Sequence, residues 1–201
     1  MIDIISRAMR YPADHKQATR ERIVRAAARQ FRSRGGDGAG IADLMKQLRL
    51  THGGFYRHFT SKEALFAEAF DLSLNDAAER VERAIERAPA GGELKALVDA
   101  YLDIEHCDDV AGGCPVAALA SEVARRTGGA RERYLDALRR HVRRIAPHVP
   151  GRTDEERIEK TIALLSGMAG TLTIARAFRD KKDRQRVLDA GRKFYLAALT
   201  R

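Results

Sequence analysis

The sequence predicts an all-α fold with two parts, a small helical domain at the N-terminus and a larger helical domain after it. Apolar residues recur at every third or fourth position through most of the 201 residues. No stretch alternates polar and apolar residues as a half-buried strand would, and glycine or proline clusters separate the periodic segments. Hydrophobic residues make up 44% of the chain, which is ample for a buried core.

The net charge of +9 is concentrated at the N-terminal end. Residues 1–62 contain 13 Lys and Arg against 5 Asp and Glu, whereas residues 63–201 contain 24 against 23. A basic domain joined to a nearly neutral one attracts a polyanion such as a nucleic-acid backbone. Charge alone is equally typical of a solvated arginine-rich surface, so the partner has to be inferred from motifs.

The first segments along the chain are an arm and a helix. Residues 1–15 are predicted to be a flexible arm. Periodic residues such as Ile23 and Phe31 predict a first helix over Lys16–Arg34. Two consecutive glycines follow, and they are expected to end this helix.

Two short helices with a tight turn between them come next, in the run IADLMKQLRLTHGGFYRHFTSK. The apolar residues of Ile41–Leu48 recur at helical spacing, and the chain then breaks at Arg49. Thr51 is well placed to cap a second helix, from His52 to about Phe59, because its hydroxyl can accept a hydrogen bond from a first-turn N–H. This arrangement is typical of a helix-turn-helix motif.

The second helix of this pair is unusual for a helix kept only for packing. Gly53 and Gly54 each cost roughly 1 kcal/mol relative to alanine in a helix, and a bare backbone lets the helix approach another surface closely. Phe55 and Phe59 lie four positions apart and can anchor one side in a core. The remaining surface carries hydrogen-bonding and cationic residues: Thr51, His52, Tyr56, Arg57 and His58. Such a helix suits the DNA major groove, where base edges present donors and acceptors.

The start of the next helix adds a site for a DNA phosphate. Thr60 and Glu63 have the spacing of a capping box, and Lys62 lies in the first turn. A helix N-terminus carries free N–H groups and partial positive charge, so with a lysine it can bind a phosphate oxygen. Phosphate contacts position a protein on DNA without reading the sequence.

The rest of the chain is predicted to be a bundle of longer helices. A helix over Ser61–Arg87 should link the two parts, and proline or glycine clusters divide the segments after it. The later predicted helices are Glu93–Glu105, one beginning at Pro115, Ala130–Ala146, one capped by Thr153 and reaching Arg179, and Lys182–Leu199. We therefore predict a helix-turn-helix domain over residues 16–62 and a second domain over residues 63–201.

These residues resemble the TetR family of bacterial transcriptional regulators. The resemblance rests on TRERIVRAAARQF, on Gly35 and on IADLMKQLRLTHGGFYRHFTSKEAL, and it covers about residues 19–65. It implies a recognition helix at about Thr51–His58 and a phosphate-binding lysine at Lys62. The positions that match the DNA-facing ones of the family are Thr51, His52, Gly53, Gly54, Tyr56 and His58.

The chain departs from the family pattern around the turn. Gly40 replaces a Ser or Thr helix cap, so the helix after it should start less firmly. Arg49 replaces the turn glycine, and a non-glycine in a left-handed turn costs roughly 1 kcal/mol or more. Met45 and Leu48 replace alanines and can change the angle between the two helices.

The resemblance also implies a ligand cavity among the fifth to eighth helices and a homodimer formed by the last two. Candidate lining residues are Tyr101, Leu102, Leu119, Tyr134, Leu138 and Met168. Small residues such as Gly167 and Gly170 allow close helix packing, either between subunits or within one subunit. A symmetric dimer would bind a palindromic operator with half-sites about 34 to 36 Å apart, or a multiple of that distance.

Two cysteines suggest an alternative signal. Cys114 precedes Pro115 at a predicted helix N-terminus, where the dipole favours the thiolate, and its glycine-cysteine context resembles that of TetR relatives that sense oxidants or electrophiles. A thiol switch at Cys114, with Cys107, is therefore one interpretation, and a buried cysteine acting as a small hydrophobe is another. A zinc site formed by His106, Cys107, Asp109 and Cys114 is a third. The remaining histidines outside the motif, His15, His141 and His148, are predicted to face solvent or lie in loops.

The combined prediction is a sequence-specific, DNA-binding transcriptional regulator, a repressor released by an unknown small-molecule inducer. The alternatives are a repressor switched at Cys114, a nonspecific DNA-coating protein, and an enzyme with Cys114 as nucleophile and His106 or His141 as base. No oxyanion site or orienting acid accompanies those residues, so we predict no enzyme activity and no cofactor. The N-terminus has no signal peptide and no apolar run is long enough to span a bilayer, which predicts a cytoplasmic protein without membrane contact.

Overall fold

The computed structural model describes residues 11–127 and 129–200, without the side chains of residues 11–14 and 130. The α-helices in this part are α1 Tyr11–Gly38, α2 Ile41–Gln47, α3 Lys62–Glu86, α4 Glu93–Tyr101, α5 Ile104–Asp108, α6 Pro115–Ala124, α7 Gly129–Ile145, α8 Asp154–Ala177 and α9 Lys181–Leu199, and the 3-10 helices are His52–Arg57 and Ala146–His148. The all-α prediction is confirmed. Among the described helices, none combines the length and hydrophobicity that crossing a bilayer requires.

Helix α1 extends beyond the predicted first helix at both ends. Residues 11–15 of the predicted arm belong to it, and the first ten residues of that arm lie outside the described part. At the other end Gly35 has φ 75° and ψ 159°, so the helix kinks there and continues to Gly38. Gly36 is then pressed against α3, because a Cβ at this position would lie 2.8 Å from Phe66 Cε2.

Two other predicted boundaries differ from the structure. The single helix predicted over Glu93–Glu105 is divided into α4 and α5, because Asp103 is extended and caps α5 by accepting a hydrogen bond from Glu105 N at 2.8 Å. The cap of α3 is Ser61 rather than Thr60, since Ser61 Oγ accepts a hydrogen bond from Ala64 N at 3.1 Å. The predicted capping box was therefore wrong by one residue.

Two buried clusters hold the helices together. The first core joins the N-terminal helices to α6 and α7, and its large members are Phe31, Phe55, Phe66, Phe70, Leu119 and Tyr134. The second core lies mainly among α3, α4, α8 and α9, with further residues from α5, the start of α6 and the end of α7. Its large members are Leu97, Tyr101, Leu102, Ile145, Met168 and Leu188. Helix α3 contributes to both cores and so connects the N-terminal helices to the C-terminal helices.

Helices α8 and α9 pack closely as a hairpin. A Cβ on Gly167 would lie 2.7 Å from the Tyr195 hydroxyl, and Thr171 Oγ1 and the Tyr195 hydroxyl are hydrogen-bonded at 3.0 Å. Gly167 therefore serves packing within one subunit, whereas Gly170 is exposed and has open space around its Cβ position. The hairpin also exposes large apolar side chains: Ile174, Phe178 and Phe194.

Candidate DNA-binding surface and ligand cavity

The turn that joins α2 to the 3-10 helix His52–Arg57, called the recognition helix below, is tight. Leu50 N donates a hydrogen bond to Met45 O at 2.8 Å. Arg49 has φ 58°, a left-handed conformation that a side chain disfavours. The helix-turn-helix prediction is confirmed. Helix α2 begins at Ile41, and its N-cap residue Gly40 provides no side-chain hydrogen bond, as its glycine predicts.

The recognition helix ends at Arg57, so the predicted helical continuation to Phe59 was wrong. Thr51 caps the helix as predicted, because its Oγ1 accepts a hydrogen bond from Gly54 N at 3.2 Å. Phe55 and Phe59 are buried, and their stacked rings have centroids 5.5 Å apart. These two rings determine which side of the recognition helix faces outward.

The outward side carries most of the residues predicted to contact DNA. Tyr56 is 65% exposed, and the His52 ring meets its ring edge-on with centroids 6.0 Å apart. Gly54 and His58 are half-buried. The exposed members of the predicted set are Thr51, His52, Gly53, Tyr56 and Arg57.

Gly53 has no packing reason to be glycine. Within the described part of the chain, a Cβ at this position would meet no heavy atom within 4 Å. The position is exposed, and its φ is not in the left-handed region. Neither packing nor backbone conformation within the described protein therefore accounts for a glycine at this position.

His58 faces partly inward. Its Nδ1 is buried without a hydrogen-bond partner among the described residues, and its carbonyl oxygen accepts a hydrogen bond from Arg20, whose guanidinium lies 4.2 Å from the centre of the Phe59 ring. Burial lowers the pKa of His58, and the nearby charges of Lys16, Arg20 and Arg57 lower it further. The imidazole is thus neutral at pH 7 and offers hydrogen bonds rather than charge.

Lys62 is the first residue of α3, directly after the Ser61 cap. It is half-buried, and its Nζ lies 3.4 Å from the Asp37 carbonyl oxygen, to which it donates. The ammonium group and the free N–H groups of the first turn therefore belong to the same end of α3. This combination is suited to an anion such as a phosphate.

A cavity of about 470 Å³ lies among α3, α4, α7, α8 and the start of α6. Much of its wall is aliphatic, including Val81, Leu97, Leu138, Val142, Ile145 and Leu165. Tyr101, Cys114, His141 and Ser166 add polar atoms to the wall. A largely apolar cavity of this size with a few polar groups is typical of small-molecule sites.

Of the six residues predicted to line a ligand site, Tyr101 and Leu138 reach this cavity. The other four are packed elsewhere. Leu119 and Tyr134 belong to the first core, and Leu102 and Met168 belong to the second.

Sequence reasoning missed His141. The sequence predicts that His141 faces solvent or lies in a loop. In the structure it lies on α7 and lines the cavity. Burial lowers its pKa to about 4, with the charge of Arg144 as a smaller cause in the same direction. Its helical spacing with the apolar residues Leu138, Val142 and Ile145 was the signal that could have revealed it.

Both cysteines are buried, and neither forms a disulfide among the described residues. Cys114 is the N-cap of α6, and its backbone N–H donates to His106 Nε2 at 3.0 Å. His106 Nδ1 donates to Tyr101 O at 2.5 Å, so both ring nitrogens are already used. Burial lowers the pKa of His106 to about 4 and raises that of Cys107. These positions favour the small-hydrophobe interpretation of the cysteines over a thiol open to soluble oxidants.

The loop between α5 and α6 joins the cavity to the DNA-binding domain. Arg32 of α1 donates to Ala111 O at 2.6 Å, and Arg80 of α3 donates to Gly112 O at 2.7 Å. Burial lowers the pKa of Arg32 to about 10, which leaves its guanidinium charged at pH 7. Cys114, at the end of the same loop, lines the cavity.

A second connection fixes α6 against the kink in α1. The buried Glu122 carboxylate accepts a hydrogen bond from Gly36 N at 2.7 Å and pairs with Arg126. The Arg126 guanidinium lies 4.1 Å from the centre of the Phe66 ring. Helix α6, which begins at the cavity, is thus held directly by the first DNA-binding helix.

The helix-turn-helix, its exposed polar side and the helical domain behind it define a DNA-binding transcriptional regulator. Two family descriptions match the chain: "Bacterial regulatory proteins, tetR family" over residues 23–69 and "Tetracyclin repressor-like, C-terminal domain" over residues 92–190. An uncharacterized HTH-type transcriptional regulator of Mycobacterium tuberculosis is 30% identical over 178 residues, which cover 82% of this chain and 87% of that protein. The chain belongs to the TetR family.

Solved structures share the fold. A TetR transcriptional regulator from Chloroflexus aurantiacus superimposes with a TM-score of 0.71 at 24% identity, covering 91% of this chain and 96% of that one. The transcriptional regulator FadR from Bacillus subtilis was solved in complex with stearoyl-CoA. It superimposes with a TM-score of 0.65 at 16% identity, and the match covers 87% of this chain and 96% of FadR. At these identities the likeness establishes the common architecture.

Proposed function

We propose that this regulator is a homodimeric repressor that binds a palindromic operator and releases it when a small molecule occupies the cavity. The observation that carries the DNA-binding surface is the recognition helix, whose exposed polar side includes a glycine that nothing within the described protein requires. A close approach of backbone to base edges accounts for that glycine.

The dimer is supported by the apolar side chains that the α8–α9 hairpin exposes. Phe194 is 66% exposed, and Ile174 and Phe178 are also exposed on this hairpin. A second copy of the same hairpin would remove these side chains from water, and a two-fold axis makes such an interface self-complementary. Two recognition helices would then meet two half-sites.

The small-molecule signal is supported by the cavity and its connections. The loop that ends at the cavity wall accepts a hydrogen bond from Arg32 of α1 at the Ala111 carbonyl oxygen. Helix α6, which begins at that wall, accepts one from the Gly36 N–H of α1 through Glu122. The structural neighbour FadR is described in complex with stearoyl-CoA, so a protein of this fold binds a ligand. Occupancy lowers DNA affinity here provided that the ligand binds the non-DNA-binding form more tightly.

Residues that read base edges and residues that bind only phosphate should respond differently to substitution. His52→Ala should change which operator sequences are preferred, because an exposed imidazole on the outward side can read base edges. Lys62→Ala should weaken all DNA sites similarly and reduce the salt dependence of binding, because it removes one phosphate contact. Binding selections and salt titrations on the two variants measure this, and an identical effect of both substitutions contradicts this distinction.

Selection of bound genomic fragments by the purified protein at physiological salt tests the proposed function. We expect a palindromic sequence, bound more tightly than random DNA by roughly 4 to 10 kcal/mol. Sedimentation of the complex should give two chains per palindrome. Binding without sequence preference would favour the nonspecific DNA-coating alternative, and an enriched asymmetric site bound by one chain would contradict the dimer.

A further inference from the structure

The cavity contains a buried hydroxyl group that makes no hydrogen bond of normal geometry with the described residues. Tyr101 is 7% exposed and lines the cavity, and its hydroxyl has no hydrogen-bond partner in the described part of the chain. Burial raises the pKa of Tyr101 well above its usual value, and the Cys114 thiol raises it further through its charge and a weak hydrogen-bonding interaction with the hydroxyl. The Cys114 sulfur lies outside normal hydrogen-bond geometry, and a thiol sulfur is in any case a weak acceptor. The hydroxyl therefore keeps its proton at pH 7 and remains a donor. A buried donor with only a weak sulfur acceptor nearby is unfavourable, so a molecule that supplies an oxygen acceptor here gains affinity.

The interior of the cavity offers apolar contact and no charge. Val81, Leu97 and Ile145 are buried aliphatic parts of its wall. His141 lines the same space, and because burial lowers its pKa to about 4, it is neutral at pH 7. An ionised group carried into this interior would lose its hydration without meeting a counter-charge.

The charged residues of the cavity lie at its mouth. Arg139, Arg143 and Glu155 line it, and all three are exposed. Arg139 is already paired with Asp136 at 2.8 Å. These three side chains carry charges of both signs and are exposed to water, where an ion pair with a ligand contributes little to affinity. The mouth therefore gives weak discrimination, and selection of the ligand falls to the interior.

We propose that the cavity binds an uncharged, largely apolar molecule with a hydrogen-bond acceptor, such as a ketone, ester or amide oxygen, that accepts from the Tyr101 hydroxyl. This inference rests on the proposed function, in which the cavity receives the signal, and it specifies the chemical class of that signal. The cavity volume of about 470 Å³ lies within the range of small-molecule sites.

Three probes of nearly equal shape separate the ligand classes. The probe 2-acetylnaphthalene is a neutral ketone, 2-ethylnaphthalene lacks the acceptor, and 2-naphthoate carries a negative charge. Their dissociation constants for the full-length protein can be measured by calorimetry without DNA. We expect the ketone to bind about 3- to 10-fold more tightly than the hydrocarbon, which is the difference that one hydrogen bond makes, and the carboxylate to bind most weakly.

Tyr101→Phe is the decisive variant, because it removes only the hydroxyl. We expect it to abolish the preference for the ketone while binding of the hydrocarbon stays the same or tightens slightly. Tyr134→Phe is the matched control: Tyr134 is a buried tyrosine of the first core and does not line this cavity. It should keep the full preference for the ketone.

Several outcomes would overturn the proposal. The proposal fails if the ketone shows no saturable binding, or if Tyr101→Phe keeps the full preference for the ketone. It also fails if 2-naphthoate binds most tightly, which would instead indicate an amphiphile with its anionic end at the mouth. The proposed function is tested separately by DNA binding. If the ketone binds as expected and operator affinity does not change, the ligand class stands and the signalling role of the cavity fails.

Discussion

Gly53 and Arg49 lie near the same turn, but the protein interior constrains only one of them. Arg49 adopts φ 58°, where a side chain costs roughly 1 kcal/mol, and the surrounding helices must supply that energy. Gly53 is unstrained and uncontacted, so its identity lowers helix propensity without any benefit within the described protein. The fold tolerates the strain at Arg49, and the close approach to DNA proposed above would account for the glycine at position 53.

Gly53→Ala should separate stability from DNA binding. The free energy of unfolding should stay the same or rise by up to about 1 kcal/mol, because alanine is the better helix former and the new methyl group meets open space. Operator affinity should fall by about tenfold or more, since the methyl group blocks the closest approach. Urea unfolding and a DNA titration measure the two quantities.

Gly54→Ala is the matched control for that prediction. A Cβ at Gly54 would lie 3.2 Å from Thr51 Oγ1, the atom that caps the recognition helix. We therefore expect this variant to lose stability as well as affinity. Unchanged operator affinity in Gly53→Ala would show that the backbone does not approach DNA closely at that position.

At the scale of elements, the most informative contact is that between α1 and the loop before α6. Arg32 is 7% exposed, and it reaches Ala111 O and the Ser73 hydroxyl. An arginine buried in this way is retained only if its hydrogen bonds offset the loss of hydration. Arg32 therefore ties the position of the first DNA-binding helix to a loop that ends at the cavity wall.

Arg32→Met should lower the free energy of unfolding by about 1 to 3 kcal/mol, because it leaves the Ala111 carbonyl without its donor. Removal of the buried charge offsets part of this loss. Arg29→Met changes an exposed arginine on the same helix and should alter stability by no more than about 0.5 kcal/mol. Equal unfolding midpoints for the two variants would mean that the buried contact contributes nothing.

The whole molecule should become less stable as the pH falls from 7 to 5. His106 has a pKa of about 4 in the folded state, below its ordinary value of 6.5, so between these values the unfolded chain binds the extra proton. Protonation would also place a second donor opposite the Cys114 N–H. We expect His106 alone to contribute a loss of about 2 kcal/mol by pH 5.

Urea unfolding at pH 7 and pH 5 measures this loss. His106→Asn should start from lower stability at pH 7 and show a smaller change on acidification. His15→Asn alters an exposed histidine and should keep the full change. If the wild-type chain is equally stable at both pH values, His106 is not held neutral in the folded state.

The sequence predicted the helical segments and the outward side of the recognition helix because both depend on short-range spacing. Thr51 could be identified as a cap, and Phe55 and Phe59 as anchors, from positions a few residues apart. The cavity could not be predicted in this way, because its wall combines residues from five helices whose relative positions depend on packing. Leu102 and Met168 are as apolar as the residues that line it, and only tertiary structure distinguishes a wall from a core.

The first core has a practical consequence for protein engineering. It contains Leu119 and Val123 of α6 and Tyr134 and Ala137 of α7, packed with the aromatic residues of the DNA-binding helices. A hybrid regulator made by cutting the chain after residue 62 would therefore expose half of a hydrophobic interface on each piece. Exchange of sensing domains between relatives should succeed only when the first-core side chains of α3, α6 and α7 stay matched to those of the N-terminal helices.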